Sequence, residues 1–259
     1  MALDFYQIFY IPAVALFGLV YGSFLNVVAL RTLEGRSIVR PPSQCPHCGA
    51  RLSPRELIPV VSYVIQKGRC RACGARISFL YPLGEALTAA LFLWLFLLWR
   101  EGRLSAWEAL SEAVFASLLI VVTIADLKSL RIPNPVLLFF APVLFFLRWA
   151  ADPSGIGRIL LGGLLFGGVF GLIYALSRGG MGLGDVKYAA VLGLYLGPEA
   201  LLPLILLASL SGFFVALALI AAGRKTRKDA VPFGPFLSLA AWVLSLYGRD
   251  LVVWYFSLW

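Results

Sequence analysis

Charge is scarce in this chain. Of its 259 residues, 22 are Lys or Arg, 13 are Asp or Glu, and a single one is His; charged residues make up 14%. Soluble domains hold about 25% charged and about 45–50% apolar residues. Here 61% are apolar and the mean hydropathy is +0.89. That balance excludes a disordered chain and argues against an ordinary soluble domain. Neither the heptads of a coiled coil nor the triplet repeat of collagen is present. A net charge of +9 would suggest nucleic acid for a soluble protein. For a membrane protein it bears on orientation instead, and no nucleic-acid partner is inferred.

What the chain has in quantity is long apolar runs. A spanning helix needs roughly 20 mostly apolar residues, because the hydrocarbon layer is about 30 Å thick. The runs predict eight spans, near 8–30, 82–99, 109–127, 134–150, 158–177, 184–197, 199–222 and 234–256. The first is not a cleaved signal peptide: Asp4 lies ahead of it and no Lys or Arg precedes Arg31, so the basic n-region is lacking. The sixth is short and opens on a polar, glycine-rich turn. The eighth is interrupted by Arg249 and Asp250. If eight spans alternate, 17 of the 22 basic residues fall on one side. Nine of them lie between Arg31 and Arg76; Lys128, Arg131, Arg178, Lys187, Arg224, Lys225, Arg227 and Lys228 are the others. The positive-inside rule puts this side in the cytoplasm.

The 31–81 loop is the one polar segment long enough for a small domain. It contains Cys45-Pro46-His47-Cys48 and Cys70-Arg71-Ala72-Cys73, two CxxC pairs with 21 residues between them. Four thiolates at this spacing suit one tetrahedral Zn²⁺. A loop this small builds little core, so a metal staple is physically sensible. The alternative, a pair of disulfides, is disfavoured in the cytoplasm. His47 reads as a polar loop residue rather than a fifth ligand. A closed set of four cysteines leaves no position for water, so the zinc is expected to be structural.

Two carboxylates occupy unusual settings. Asp126 ends the apolar run from Leu118 to Ala125. Asp185 follows Gly179-Gly180-Met181-Gly182-Leu183-Gly184 and opens the sixth span. An Asp at a bilayer-spanning helix centre costs about 2.5–3.5 kcal/mol, and less toward an end. Both fall at the cytoplasmic edge on different helices. Two carboxylates that approach closely share a proton near neutral pH. One can then take a proton from an attacking water while the other donates to a carbonyl oxygen, which is aspartic-protease chemistry. The glycines around Met181 would admit close backbone approach and positive φ. The plainer reading pairs Asp126 with Lys128 or Arg131 and makes Asp185 a helix cap. Glu85 is also cytoplasmic and could join the pair; Glu112 is on the outer side and could not.

These stretches resemble the bacterial type IV prepilin peptidases, GxGD membrane aspartic proteases. The resemblance runs through Gly22-Ser23-Phe24-Leu25-Asn26-Val27-Val28 and Pro42-Ser43 into Cys45-Pro46-His47-Cys48. It continues with Glu56, Ile58-Pro59, Ser62, Gly68-Arg69-Cys70-Arg71-Ala72-Cys73, Ile77-Ser78, Tyr81-Pro82-Leu83 and Glu85. Asp126-Leu127 with Ile132-Pro133 is similar to the family's first aspartate motif. Gly180-Met181-Gly182-Leu183-Gly184-Asp185-Val186-Lys187 is similar to the second, and Pro232-Phe233-Gly234-Pro235-Phe236-Leu237 to a late signature. The resemblance implies cleavage of prepilin or pseudopilin leaders on the cytoplasmic side, followed by N-methylation of the exposed residue from S-adenosylmethionine. It assigns cleavage to Asp126 and Asp185, with Gly182, Gly184 and Lys187 as second-tier loop residues, and metal binding to Cys45, Cys48, Cys70 and Cys73. Two departures stand out: Pro133-Asn134 replaces the usual Pro-Asp, and Gly84 replaces an aliphatic residue. No nucleotide-binding fingerprint is visible for the methyl donor.

The expected fold is therefore an all-α polytopic membrane protein of about eight transmembrane helices. Residues 1–30 would form the first helix, 31–81 a zinc-bound cytoplasmic loop domain, and 82–259 a transmembrane aspartic peptidase domain. It would sit in the bacterial inner membrane with its catalytic side cytoplasmic, and lipid and prepilins as its partners. Two rivals are weighed: a GxGD protease acting on other membrane substrates, which gives the zinc loop no purpose, and a non-catalytic carrier. The carrier predicts carboxylates near the midplane, whereas both lie at an edge. A reporter fused at Trp259 is expected to read out on the non-cytoplasmic side; a cytoplasmic signal would contradict the eight-span arrangement.

Overall fold

The computed structural model describes residues 5–177, 179–226 and 229–256. Asp4, Arg178, Arg227, Lys228, Trp259 and the side chain of Arg249 lie outside what is described. Among the described residues there are nine α-helices and no strand, and the chain forms two compact units, Met1–Ile124 and Ala125–Trp259. The first contains α1 (Phe5–Leu33), the short α2 (Val61–Ile65), α3 (Leu80–Arg100) and most of α4 (Ala106–Ser129). The second contains the end of α4, then α5 (Asn134–Ala151), α6 (Ile156–Leu176), α7 (Leu183–Leu196), α8 (Leu201–Ala221) and α9 (Gly234–Phe256). Setting α2 aside, eight helices coincide with the eight apolar runs to within a few residues.

Local chemistry sets the ends. Pro133 precedes α5 in an extended conformation, with Pro135 in the first turn, where its missing N–H costs nothing. α3 stops where Gly102 takes φ 72°, and α7 stops where Gly197 takes φ 88° ahead of Pro198. Six helices, α1, α3, α4, α5, α6 and α8, are long and apolar enough to cross a bilayer. α7 has 14 residues, about 21 Å of helix, which falls short of the hydrocarbon thickness.

The burial pattern suits lipid rather than water. α8 exposes Leu202, Leu206, Leu210, Phe213 and Leu217 along one face and buries Leu204 and Ala208. Such a face would be an aggregation liability in water and is at home among acyl chains. α4 is the opposite case, with Phe115, Leu118, Val121, Val122 and Ala125 all buried.

Without a hydrophobic drive between helices in lipid, close backbone contact must hold them. In the first unit a Cβ on Gly18 would lie 2.6 Å from Ala89 Cα, and one on Gly22 would lie 2.8 Å from Glu85 Cα, so α1 and α3 touch backbone to backbone. In the second unit a Cβ on Gly162 of α6 would overlap the carbonyl oxygen of Gly193 in α7. Gly162→Ala is therefore expected to force α6 and α7 apart at a cost of about 1–3 kcal/mol. Thermal unfolding in detergent measures this. Gly168→Ala, where a Cβ meets nothing within 4 Å, serves as the neutral control; equal transitions for both variants would refute the contact.

Candidate functional site

Asp126 lies one turn before the end of α4 and is 5% exposed. Its Oδ2 accepts a 2.8 Å hydrogen bond from Gly234 N–H, the first residue of α9. A Cβ on Gly234 would sit 2.8 Å from that same oxygen, so only glycine lets the amide reach it. Asp185 is the third residue of α7. Its Oδ2 accepts from Gly182 N–H at 3.3 Å, while its Oδ1 is buried with no hydrogen-bond partner. Both carboxylates belong to the second unit, and they are near enough for the charge of Asp126 to act on Asp185. Two helix ends thus bring together, from 59 positions apart in sequence, a pair able to serve as acid and base.

Several sequence expectations resolve here. Asp126 bonds an amide of α9, and no ion pair with Lys128 or Arg131 occurs among the described residues. Asp185 does reach back to cap α7 through Gly182, but that uses one oxygen only. Positive φ in the glycine run is confined to Gly179, at 97°; Gly182 has φ −84°. Gly184 instead permits close packing, since a Cβ there would lie 3.2 Å from Ile132 Cβ. Lys187 Nζ donates to Asn134 Oδ1 at 3.1 Å, so the amide that replaces an acid at 134 still receives the lysine. Glu85 has a different attachment: in the first unit its Oε2 accepts from Val60 N–H at 2.7 Å and its carboxylate also bonds Ser23.

Two residues escaped the sequence reading. Tyr188 is fully buried and its hydroxyl lies 2.7 Å from Ser238 Oγ, which in turn is 2.8 Å from the Gly234 carbonyl oxygen. Both sit inside apolar helices, where a lone hydroxyl gives no local signal.

The four cysteines are free thiols, Cys45 and Cys70 buried, Cys48 and Cys73 exposed. Their sulfurs lie within 4.8 Å of one another, with Cys45 Sγ 4.0 Å from Cys73 Sγ. That is far beyond a disulfide bond of about 2.05 Å. A tetrahedral zinc at about 2.3 Å from each sulfur needs edges of about 3.8 Å, so the set fits one ion. Each pair sits in the same knuckle: Cys45 N–H bonds Ala50 O and Cys70 N–H bonds Ala75 O, with Gly49 and Gly74 both at φ 71°. The sequence signal was available, because Cys-x-x-Cys-Gly-Ala-Arg occurs at 45–51 and again at 70–76. The amide N–H groups of Cys48 and then His47 hold the Cys45 thiol below the ordinary range, whereas at Cys73 the Ala75 amide is outweighed by desolvation and the neighbouring thiols, which push that thiol up.

A polytopic helical membrane protein with a four-cysteine knuckle in one unit and paired carboxylates at helix ends in the other is the class these features define. Residues 16–99 match the bacterial peptidase A24 N-terminal domain, and residues 113–217 match the type IV leader peptidase family. The chain is 37% identical over 246 residues to the prepilin leader peptidase/N-methyltransferase of Bacillus subtilis (strain 168), covering 94% of this chain and 96% of that one. It is 32% identical over 284 residues to the protein of that name from Aeromonas hydrophila, covering 96% and 94%. With that from Aeromonas salmonicida (strain A449) it shares 33% over 278 residues, with the same coverage. No solved structure matches. The chain belongs to the type IV leader peptidase family.

The purified chain is expected to carry one zinc ion per molecule. Cys48→Ser should lower that content and raise hydrogen exchange in 31–81 more than in the helices, whose backbone bonds do not need the metal. A full complement of metal in Cys48→Ser would refute the four-sulfur site.

Proposed function

We propose that the chain is a membrane aspartic endopeptidase that removes the leader of type IV prepilins or pseudopilins at the cytoplasmic face of the bacterial inner membrane. The observation that carries this reading is the pairing of Asp126 and Asp185 at the ends of two helices in one unit. A prepilin's apolar segment is itself membrane-inserted, so its leader junction meets an edge site without crossing the bilayer, and water has access there too. One carboxylate takes a proton from water as the water oxygen bonds the scissile carbonyl carbon. The other gives its proton to the carbonyl oxygen. The tetrahedral intermediate then collapses: the C–N bond breaks, the nitrogen takes the proton drawn from water, and the diol returns a proton to the second carboxylate.

The same chain is read as methylating the exposed N-terminus, with S-adenosylmethionine as methyl-donating co-substrate. Support for methylation comes from the relatives named prepilin leader peptidase/N-methyltransferase, and an open groove lined by Pro42, Ser43, Arg51, Leu52 and Leu57 lies beside the first cysteine knuckle of the first unit. Cys45, Cys48, Cys70 and Cys73 would hold a structural zinc that keeps this loop folded and takes no part in cleavage.

Asp126→Asn and Asp185→Asn are each expected to remove nearly all prepilin cleavage, because such a pair acts as a unit. Both should keep their fold, since neutralising a membrane-edge carboxylate relieves a desolvation cost. Methyl transfer to an already cleaved pilin should survive in both. Cleavage by purified protein in lipid, with a generic transmembrane peptide as the comparison substrate, measures the first; labelled methyl donor measures the second. Full cleavage by Asp185→Asn would overturn the mechanism, and loss of methylation in both would overturn the claim of two sites.

A further inference from the structure

We propose that Gly234, Ser238 and Tyr188 are positioning residues that hold Asp126 as the ionised member of the pair, so that the shared proton resides on Asp185. The inference rests on the assignment of these two aspartates as the cleaving pair.

The two carboxylates differ in their donors. Both stand at a helix N-terminus, Asp126 against α9 and Asp185 within α7. The helix dipole therefore favours charge on each and does not separate them. Hydrogen bonding does. Asp126 Oδ2 takes a buried 2.8 Å bond from Gly234 N–H. Asp185 Oδ2 has the 3.3 Å contact with Gly182 N–H in an exposed turn, and its Oδ1 is buried with no partner. A carboxylate anion gains from each donor it receives, and a buried oxygen without one is costly. Protonation turns that orphaned oxygen into a donor, free to bond a substrate carbonyl. Asp126 is the more buried residue, which works against charge there. Yet Asp126 Oδ2 faces its donor at 2.8 Å in a buried place, whereas the buried Oδ1 of Asp185 faces none.

The donor is itself held in place. Ser238 lies one turn into α9 and its Oγ is 2.8 Å from the Gly234 carbonyl oxygen, an atom that only accepts. The single hydroxyl hydrogen of Ser238 goes there. Tyr188, 2.7 Å away, must then donate to Ser238. The run is Tyr188 O–H to Ser238 Oγ, Ser238 O–H to Gly234 C=O, and Gly234 N–H to Asp126. Tyr188 stands three residues beyond Asp185 on α7. The run thus ties the helix that carries Asp185 to the helix start that serves Asp126. In the reaction, Asp126 takes the proton of the attacking water and later passes it to the leaving nitrogen; Asp185 gives its proton to the carbonyl oxygen and recovers one as the diol collapses.

Other titratable groups near the pair are few. Lys187 is engaged with Asn134, Lys128 and Arg131 are exposed at the end of α4, Tyr174 lies in the last turn of α6, and residues 234–248 of α9 carry no charge. None changes in the variants below.

The test is the pH dependence of kcat/KM for prepilin cleavage by the full chain in lipid. Tyr188→Phe and Ser238→Ala loosen the donor, so Asp126 accepts its proton more readily. Activity should then fail at a higher pH on the acid side, by about one unit. A purely structural role would lower the whole profile without moving that limb. Ser238→Thr keeps the hydroxyl and should restore the wild-type limb. Gly234→Ala, whose Cβ would meet the buried Asp126 Oδ2 at 2.8 Å, should cost at least about a hundredfold in cleavage and lower the thermal transition as well. Asp185→Asn, whose amide still donates, should retain at least about tenfold more residual cleavage than Asp126→Asn, which has lost the base. An unmoved acid limb in both hydroxyl variants, or more residual cleavage in Asp126→Asn, overturns the inference while leaving the pair intact. Wild-type rates in both aspartate variants overturn the pair and the inference together.

Discussion

A hydrocarbon layer offers no partner to a backbone amide or carbonyl, and that constraint shapes every part of this molecule. It requires that each crossing segment satisfy its own hydrogen bonds, hence nine α-helices, six of them long and apolar enough to cross, and no strand among the described residues. It removes the hydrophobic drive between helices and leaves close contact to hold them. Gly18 and Gly22 supply that contact to α3, and Gly162 to Gly193. It also restricts irregular backbone and charge to helix ends, which is where the cysteine loop, the glycine run and both aspartates are found.

The site follows from this confinement. The glycine run ahead of α7 makes the helix start at Leu183 and puts Asp185 in its first turn. The Pro232–Pro235 segment makes α9 start at Gly234, with its free amide against Asp126. Each carboxylate is therefore met by unsatisfied amides of a helix N-terminus, the one place near a bilayer where backbone donors are available in number. The short α7 matters as well. Fourteen residues make about 21 Å of helix, too little to cross the hydrocarbon alone, so the glycine run that opens α7 lies off a full-length span.

Much of this was legible in one sequence. The apolar runs gave spans such as 134–150 and 82–99, against helices Asn134–Ala151 and Leu80–Arg100, because run length is a property of composition alone. The CxxC spacing gave the four-sulfur cluster for a similar reason: each knuckle is local. The partners of the aspartates were not legible. Gly234 is 108 positions from Asp126 and Ser238 is 50 from Tyr188, and neither hydroxyl interrupts an apolar pattern. Positive φ at Gly182 and Gly184 was expected from residue type and is absent, because both glycines serve a helix start where close packing and not left-handed backbone is needed. Glu85 read as a third candidate acid; within the first unit its carboxylate accepts from the amide of Val60, 25 positions upstream.

That residue, Val60, marks how the loop is joined to the helices. It has φ 60° and ψ −51°, the strained centre of a γ-turn closed by the Val61 N–H to the Pro59 carbonyl, which costs about 1–3 kcal/mol. Its amide is held by the buried Glu85 carboxylate of α3, which has no cationic partner among the described residues. The strained backbone of Val60 and the buried Glu85 carboxylate meet through a 2.7 Å bond. The loop therefore has two anchoring features of different kinds, four clustered sulfurs able to hold a metal ion and one carboxylate reaching from α3. A segment with so little core of its own needs both: the cluster fixes the knuckles to each other, and Glu85 fixes the stretch between them to the membrane helices.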